Sequence, residues 1–444
     1  MTHYKKMTSG ENLKRIRNEL DLRQYEIVGG EITRNLISLI ENDKTPLIEK
    51  NARIICKNIN KIMRERNLDI HIEPKDILIP ERYDANKKAD TYIKELEGLI
   101  KAKNFTIDIE YINEIELFLN EWNLTYKKMR IYELIGDIYY NLKDYNNEHA
   151  YLIKAWESSL NYLNEFFNYK LALKLTASYI NMTKYDDCIK LCDFALLNKN
   201  RIVDKYIKGF YYNKALAYIF LNLFEQSLVN LENAKQYIRV DDYSQFKKVY
   251  ILEGNCYFEL KNYDKALDRY NKVVNSIDHE NNKEELYLAY TNILNIYMDK
   301  NDETKVLEYL NLILENLSAI DQFSFYLDDI YYNIGNAYEY LNEYKLQEKY
   351  LEQSLIISRE NNNNKLYIKT ILELFDCYYK DNNINKLDNL IDTYKDEIPE
   401  VPLDDNTLLI FKTLLYYLEQ DNELPKQFIK NIIEKEKEEN NDEV

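Results

Sequence analysis

Two sets of polar side chains in this 444-residue chain have the types and spacing to recognise another molecule. The first is Arg34, Asn35 and Ser38 in the stretch EITRNLISLIENDKTP, residues 31–46. A guanidinium can grip guanine at two points and an amide can do the same with adenine, each worth roughly 1–3 kcal/mol of discrimination. The second set is a series of asparagines through the middle of the chain: Asn213, Asn255, Asn292, Asn295, Asn333 and Asn336. An amide carries both donor and acceptor, so it can pair with the N–H and C=O of an extended peptide whatever that peptide's side chains are. Catalytic chemistry finds no comparable set. His3, His71, His149 and His279 stand in four different contexts, and Cys188 and Cys192 fall on inward positions of one helix, as core thiols do. There is no HExxH, CxxC, phosphate-binding loop or GxGxxG. No metal site, no cofactor and no enzymatic activity are expected.

The elements that must position these groups are helical. Gly and Pro number only 8 and 6, and no proline lies between Pro80 and Pro399. Leu, Ile and 42 Tyr supply the apolar surface, with few strand-like runs of Val and Thr. The length exceeds what one compact core serves, so several domains or an extended array are expected. Charge is uneven. Residues 1–66 hold 14 Lys and Arg against 9 Asp and Glu, whereas the whole chain is at −17. Any nucleic-acid contact is therefore expected in that small basic head. The N-terminal stretch lacks the apolar core of a signal peptide, no apolar run approaches membrane-spanning length, and five scattered cysteines fit a reducing compartment, so a cytoplasmic, membrane-free protein is expected.

A repeat of about forty residues dominates the body. Gly136, Thr176, Ala215, Gly254, Leu294, Gly335 and Phe375 mark corresponding positions at intervals of 39–41 residues. In the clearest copies a small marker is followed by Tyr three residues later and another Tyr six beyond that, as in LEGNCYFELKNYDKALDRYNKVV from Leu252. The small residue lets two helices approach closely, the tyrosines share a face, and a polar segment such as LKNY turns the chain. One such hairpin cannot bury its own apolar faces, so the hairpins must stack. This pattern resembles the tetratricopeptide repeat. Gly254, Tyr257, Tyr263 and Ala266 match it well, although the period exceeds the usual roughly 34 residues and the second small position is often lost, as at Glu148 and Gln347. The resemblance implies a right-handed superhelix over residues 85–437, with an atypical first hairpin at 85–122, a capping pair at 405–437 and a disordered acidic tail at 438–444. The residue after each marker would line the concave groove, placing Asn255, Asn295, Asn336 and Asp376 there. Asn213, Asn292 and Asn333, two before the marker, would flank it. Phe258, Met298, Tyr340 and Tyr379 would form side-chain pockets.

Residues 10–66 read as five short helices, and residues 67–84, with Pro74 and Pro80, as a linker with extended pieces. The head resembles the helix-turn-helix domain of phage-repressor type through Leu22, Gln24 and Ile27, then Arg34, Asn35, Ile37, Ser38, Ile40, Glu41 and Asn42, then Lys44 and Pro46, with a turn about one residue shorter than the usual form. That geometry implies that Arg34, Asn35 and Ser38 face base edges of double-stranded DNA. Gln24, Arg23, Thr33 and Lys44 would meet its backbone, while Leu36, Ile37 and Ile40 are core. The alternative is a small helical domain on which these polar groups are merely solvated.

The pairing of such a head (XRE family) with repeats of about forty residues resembles the RRNPP superfamily of Gram-positive bacteria. The resemblance implies an all-α, cytoplasmic, usually dimeric transcription regulator of quorum sensing. A short linear signalling peptide in the groove would switch its binding to an operator. A second reading is a tetratricopeptide adaptor that sequesters a partner protein and carries an accessory DNA-binding domain.

Overall fold

Left-handed residues punctuate the body at the repeat period. Lys143, Thr183, Asn222, Lys261, Asn301 and Asn342 have φ of 54–60°. At each, the following residue returns its backbone N–H to the carbonyl of a tyrosine five positions back: Asp144 to Tyr139, Lys184 to Tyr179, Leu223 to Tyr218, Asn262 to Tyr257, Asp302 to Tyr297 and Glu343 to Tyr338, all at 2.8–3.0 Å. This is the Schellman closure that satisfies orphan carbonyls at a helix end. It is made here without glycine; Asn, which tolerates the left-handed region, serves at three of the six positions.

The computed structural model describes residues 6–395 apart from 67, 69, 161–164, 198, 277–282, 318–325, 362 and 382. The capping pair and tail expected at 405–437 and 438–444 lie outside the described residues. Two compact units emerge, residues 1–206 and 207–444. Among the described residues the regular elements are helices. None of those helices is long and apolar enough to cross a membrane.

The first unit opens with α1 (Ser9–Glu19), α2 (Arg34–Glu41) and α3 (Glu49–Glu65), followed by the short α4 (Pro74–Leu78). Three hairpins follow: α5 (Pro80–Lys101) with α6 (Ile109–Glu121), α7 (Thr125–Asn141) with α8 (Tyr145–Leu160), and α9 (Glu165–Asn181) with α10 (Tyr185–Leu196). The second unit continues with α11 (Asp204–Phe220), whose first turn spans the boundary, and α12 (Phe224–Lys235). Then come α13 (Tyr243–Glu259) and α14 (Tyr263–Val274), α15 (Lys283–Asp299) and α16 (Glu303–Asn316), α17 (Leu327–Tyr340) and α18 (Tyr344–Glu360), and α19 (Asn364–Lys380) and α20 (Ile384–Lys395). The all-α class and the helical-hairpin repeat are those expected from the sequence.

The markers act as expected of small residues. A Cβ on Gly136 would stand 3.2 Å from Leu152, and one on Gly254 only 2.3 Å from the Tyr270 ring. Tyrosines at the third and fifteenth positions after the marker stack across the hairpin: Tyr139 on Tyr151, Tyr297 on Tyr309 and Tyr338 on Tyr350, with centroids 5.5–5.7 Å apart.

The head departs from expectation twice. The Gln-led segment is not a helix. Residues 23–26 make a single turn, with Glu26 N–H donating to the Arg23 carbonyl at 3.0 Å, and Gly29 and Gly30 then take φ of 59° and 77°. Leu22 and Ile27 are both buried and the glycines follow at once, so too few residues remain to close a helical ladder. Three helices, not five, therefore cover residues 10–66. The second departure is at 67–84, which is not an extended linker. Pro74 and Pro80 stand in the first turns of α4 and α5, where the missing N–H costs nothing. Ile72, Ile77 and Tyr83 join Leu13, Ile16, Ile37, Ile40 and Ile55 in the head's core. Further along α5, Ala89, Tyr92 and Leu96 enter the core of the first hairpins. One helix thus serves both cores.

Candidate functional sites

The α2 surface begins with Thr33, whose hydroxyl accepts the Leu36 N–H at 3.2 Å and caps the helix. Ile37 and Ile40 are buried and Leu36 is partly buried against the same core. Arg34 and Asn35 are exposed on the first turn, Ser38 is half-buried one turn on, and Asn42 closes the helix by donating to the Ser38 carbonyl at 2.7 Å. Arg23 and Lys44 are also exposed. Gln24 is placed otherwise than the phosphate-contact expectation requires. Its amide donates to Glu41 Oε2 at 2.8 Å, while Arg17 donates to both Glu41 oxygens at 2.6 and 3.0 Å. Glu41 is buried, so two donors from α1 and the Gln-led turn converge on it and fix where α2 sits. The signal for this role was present in the sequence as a carboxylate inside the apolar run ISLIE.

A second buried network joins head and hairpins. Arg82 on α5 pairs with Asp76 and with Glu73 (2.5 Å), and donates to the Asn123 carbonyl at 3.1 Å. Asn86 donates to Asp76 at 2.9 Å, and Asn12 of α1 donates to the Asp76 and Ile77 carbonyls at 2.7 and 2.9 Å. Burial pushes Asp76 up to about 6 although Arg82 and its hydrogen bonds pull the other way.

In the second unit a cavity of about 550 Å³ opens between helices of successive hairpins, a size that suits a small ligand. Five of the residues expected to hold a peptide meet in its wall: Asn255, Asn292, Asn295, Asn333 and Phe258. The asparagines are already linked. Asn292 Nδ2 donates to Asn255 Oδ1 at 3.2 Å, and Asn295 Nδ2 donates to Asn333 Oδ1 at 2.8 Å. The Tyr270 hydroxyl holds Asn255 Oδ1 at 2.7 Å, and Asn333 Nδ2 is anchored on the Asp329 carbonyl at 2.7 Å. The rungs are therefore held in place, with the Asn255 Nδ2, Asn292 Oδ1 and Asn295 Oδ1 positions without protein partners among the described residues. Asn213, Asn336, Asp376, Met298, Tyr340 and Tyr379 are not in that wall. Met298 and Tyr340 pack against the core of the α15–α17 region instead.

The cavity also contains residues that the groove pattern did not single out. Ile219, Phe220 and Phe224 add apolar surface, and Asp329, Tyr332, Lys365 and Lys369 add charge and an aromatic face. Burial and the neighbouring Asp328 push Asp329 up to about 6, against Lys369. The Lys369 ammonium lies 4.6 Å from the Tyr332 ring centroid. The five cysteines are buried free thiols, and among the described residues no group of His, Cys, Asp or Glu is arranged to hold a metal ion.

The tetratricopeptide repeat family matches at residues 130–162 and 328–361, which correspond to α7–α8 and α17–α18. No curated protein matches the chain. Among solved structures, the apo form of RapI is 14% identical with a TM-score of 0.50, over 62% of this chain and 99% of that one. The apo form of the quorum sensor NprR from B. thuringiensis is 18% identical with a TM-score of 0.48, over 79% and 98%. A Rap protein complexed with Competence and Sporulation Factor is 16% identical with a TM-score of 0.47, over 72% and 87%. The fold is thus a tetratricopeptide-type array of helical hairpins, shared with RapI.

Proposed function

We propose that this chain is a DNA-binding transcription regulator controlled by a short linear peptide held in the second unit's cavity. The observation that carries the reading is the convergence of Asn255, Asn292, Asn295 and Asn333, from three successive hairpins, on one cavity beside Phe258. Amides fixed in place along a cleft, with donors and acceptors left over, suit the repeating polar groups of an extended backbone. The basic head supplies the output. Arg34 and Asn35, exposed at the start of a capped and tightly seated helix, are the base-reading groups, with Ser38 beside them. Thr33, Arg23 and Lys44 meet the backbone. Gln24 acts indirectly, through Glu41. The active form is a homodimer that places two heads on two half-sites of an operator, since a single short helix offers few base contacts.

Selection of bound fragments from random duplex DNA by the full-length protein, with and without a random heptapeptide library, tests the reading. A defined motif is expected, weakened at least tenfold by Arg34→Ala with Asn35→Ala, because each two-point base contact is worth roughly 1–3 kcal/mol. Asn295→Ala with Asn333→Ala is expected to remove the peptide effect and leave the motif unchanged. Absence of any motif would leave partner sequestration as the function of the repeats.

A further inference from the structure

The repeat allows the same structural position to be compared in the two units. Six residues before its marker, α9 carries Lys170; three residues before the preceding marker, α7 carries Glu133. These meet at 2.6 Å, and Lys174 joins the same carboxylate at 2.7 Å and Asp137 at 2.6 Å. Burial alone would raise Glu133, but Lys174 and Lys170 overcome it and hold it at about 2. The corresponding pair in the second unit is Lys369 on α19 and Tyr332 on α17. The lysine is retained, the carboxylate is replaced by a phenol ring on whose face the ammonium rests, and the second lysine is replaced by Glu373, which accepts from the Tyr332 hydroxyl at 3.3 Å. Lys365, one turn earlier on the same face of α19, lines the same cavity. Neither lysine lies within ion-pair distance of a carboxylate among the described residues, although Lys369 is close enough to Asp329 and Glu373 to oppose the upward push of burial on both. Lys365 also lies in the first turn of a 17-residue helix, where the dipole favours an anion.

We infer, on the reading that the cavity holds a peptide, that the peptide presents a carboxylate to Lys365 and Lys369. Its apolar side chain then lies toward Ile219, Phe220, Phe224 and Phe258, and its backbone lies on the asparagine rungs. The ligand's carboxylate completes in the second unit the ion pair that Glu133 completes internally in the first. The Tyr332 ring supports the ammonium until the ligand arrives. The carboxylate belongs either to the peptide's C-terminus or to an Asp or Glu side chain. Glu259 and Asp329, the acids of the same cavity, define the opposite outcome, a preference for basic peptides.

The test uses full-length protein and two random heptapeptide libraries, one with free C-terminal acids and one with C-terminal amides, read by affinity capture and mass spectrometry. The expected result is enrichment of the acid library over the amide library at least tenfold if the C-terminus is the source. If a side chain is the source, equal capture is expected, with Asp or Glu enriched at one position. Retrieved peptides are expected to bind Lys365→Ala/Lys369→Ala at least tenfold more weakly. Tyr332→Glu, which gives Lys369 the internal carboxylate that Lys170 has in Glu133, is expected to suppress binding in protein whose helical content is unchanged. Peptides captured without acid preference or Asp and Glu enrichment, or basic peptides enriched, would overturn the inference and leave peptide binding standing. Capture of no peptide would overturn both.

Discussion

Replacing Glu41 by Gln isolates the step from a buried ion pair to a positioned α2. The carboxylate accepts three hydrogen bonds, two from Arg17 at 2.6 and 3.0 Å and one from Gln24 at 2.8 Å. The side chains are nearly dry, at 2% exposure for Glu41 and 12% for Arg17. The amide keeps the shape, removes the charge, and turns an NH2 group toward one of the incoming donors. Removing one partner of a buried pair typically costs roughly 3–5 kcal/mol, because the remaining charge stays desolvated. Arg17 keeps its bond to the Leu22 carbonyl at 2.9 Å and some solvent, which places the expected cost at about 3 kcal/mol. Most of the chain's helix lies outside the head, so circular dichroism would barely register the change. Native-state hydrogen exchange read on peptides covering residues 9–45 resolves it, and about 3 kcal/mol corresponds to roughly a hundredfold loss of protection there. Arg34→Ala, at an exposed position on the first turn of α2, is expected to leave that protection unchanged while weakening DNA binding. Protection of the Glu41→Gln head within threefold of the parent would show that the Glu41 network does not hold α2, and the reassignment of Gln24 would fall with it.

Gly254→Ala places a methyl group 2.3 Å from the Tyr270 ring, whose hydroxyl holds Asn255. A loss of about 1–3 kcal/mol in the unit's stability is expected, accompanied by weaker peptide binding. Gly136→Ala, where the nearest atom is a Leu152 methyl at 3.2 Å, is expected to be milder, and denaturant melts of the two variants check the order. Glu148 is buried with Asp137 nearby, and burial pushes its carboxyl from 4.5 up to about 7 despite a hydrogen bond from Asn181. The folded state therefore binds the extra proton between those values, and this contribution to stability is lost as pH rises through that window. Glu148→Gln is expected to match the parent near pH 4.5 and to exceed it by up to about 3 kcal/mol at pH 8; equal differences at both pH values would refute the assignment.

The body was legible because its period is enforced by contacts that need particular residues. The small marker, the tyrosine whose carbonyl closes the hairpin turn, and the tyrosine stacked across it recur in step. In the head, the helices with continuous apolar spacing emerged as read, but residues 23–26 did not. Their Gln-led pattern is that of a helix, yet buried Leu22 and Ile27 and the paired glycines leave room for one turn only. Pro74 and Pro80 suit a helix start as well as a linker, and the apolar Ile72, Ile77 and Tyr83 around them decide in favour of helix. Five of the cavity's sixteen lining residues followed from counting from the markers. Its lysines did not, because an exposed lysine in a chain with 59 basic residues has no local signature. Only the partner it lacks distinguishes it.

That missing partner bears on how a repeat array acquires a binding site. A stack of hairpins repeats its internal pairs as well as its core. At one position the first unit gathers Arg130, Lys170 and Lys174 around Glu133, with Asp137 taking a second contact from Lys174. The second unit keeps a lysine at the equivalent position and gives it an aromatic face, whose attraction for the ammonium is weaker than that of a carboxylate at 2.6 Å. Affinity there would rest on the lysine that the array keeps, with Tyr332 in the place of Glu133 and Glu373 in the place of Lys174. The same logic applies to the asparagines. Their mutual hydrogen bonds use one donor or acceptor of each pair and hold the amides still, so that ordering them on binding costs less conformational entropy than ordering free side chains would. A site built in this way lies along the stack and is sensitive to the spacing of its hairpins. A ligand that bridges α13, α15, α17 and α19 therefore stabilises one spacing over others, which is the property a switch requires.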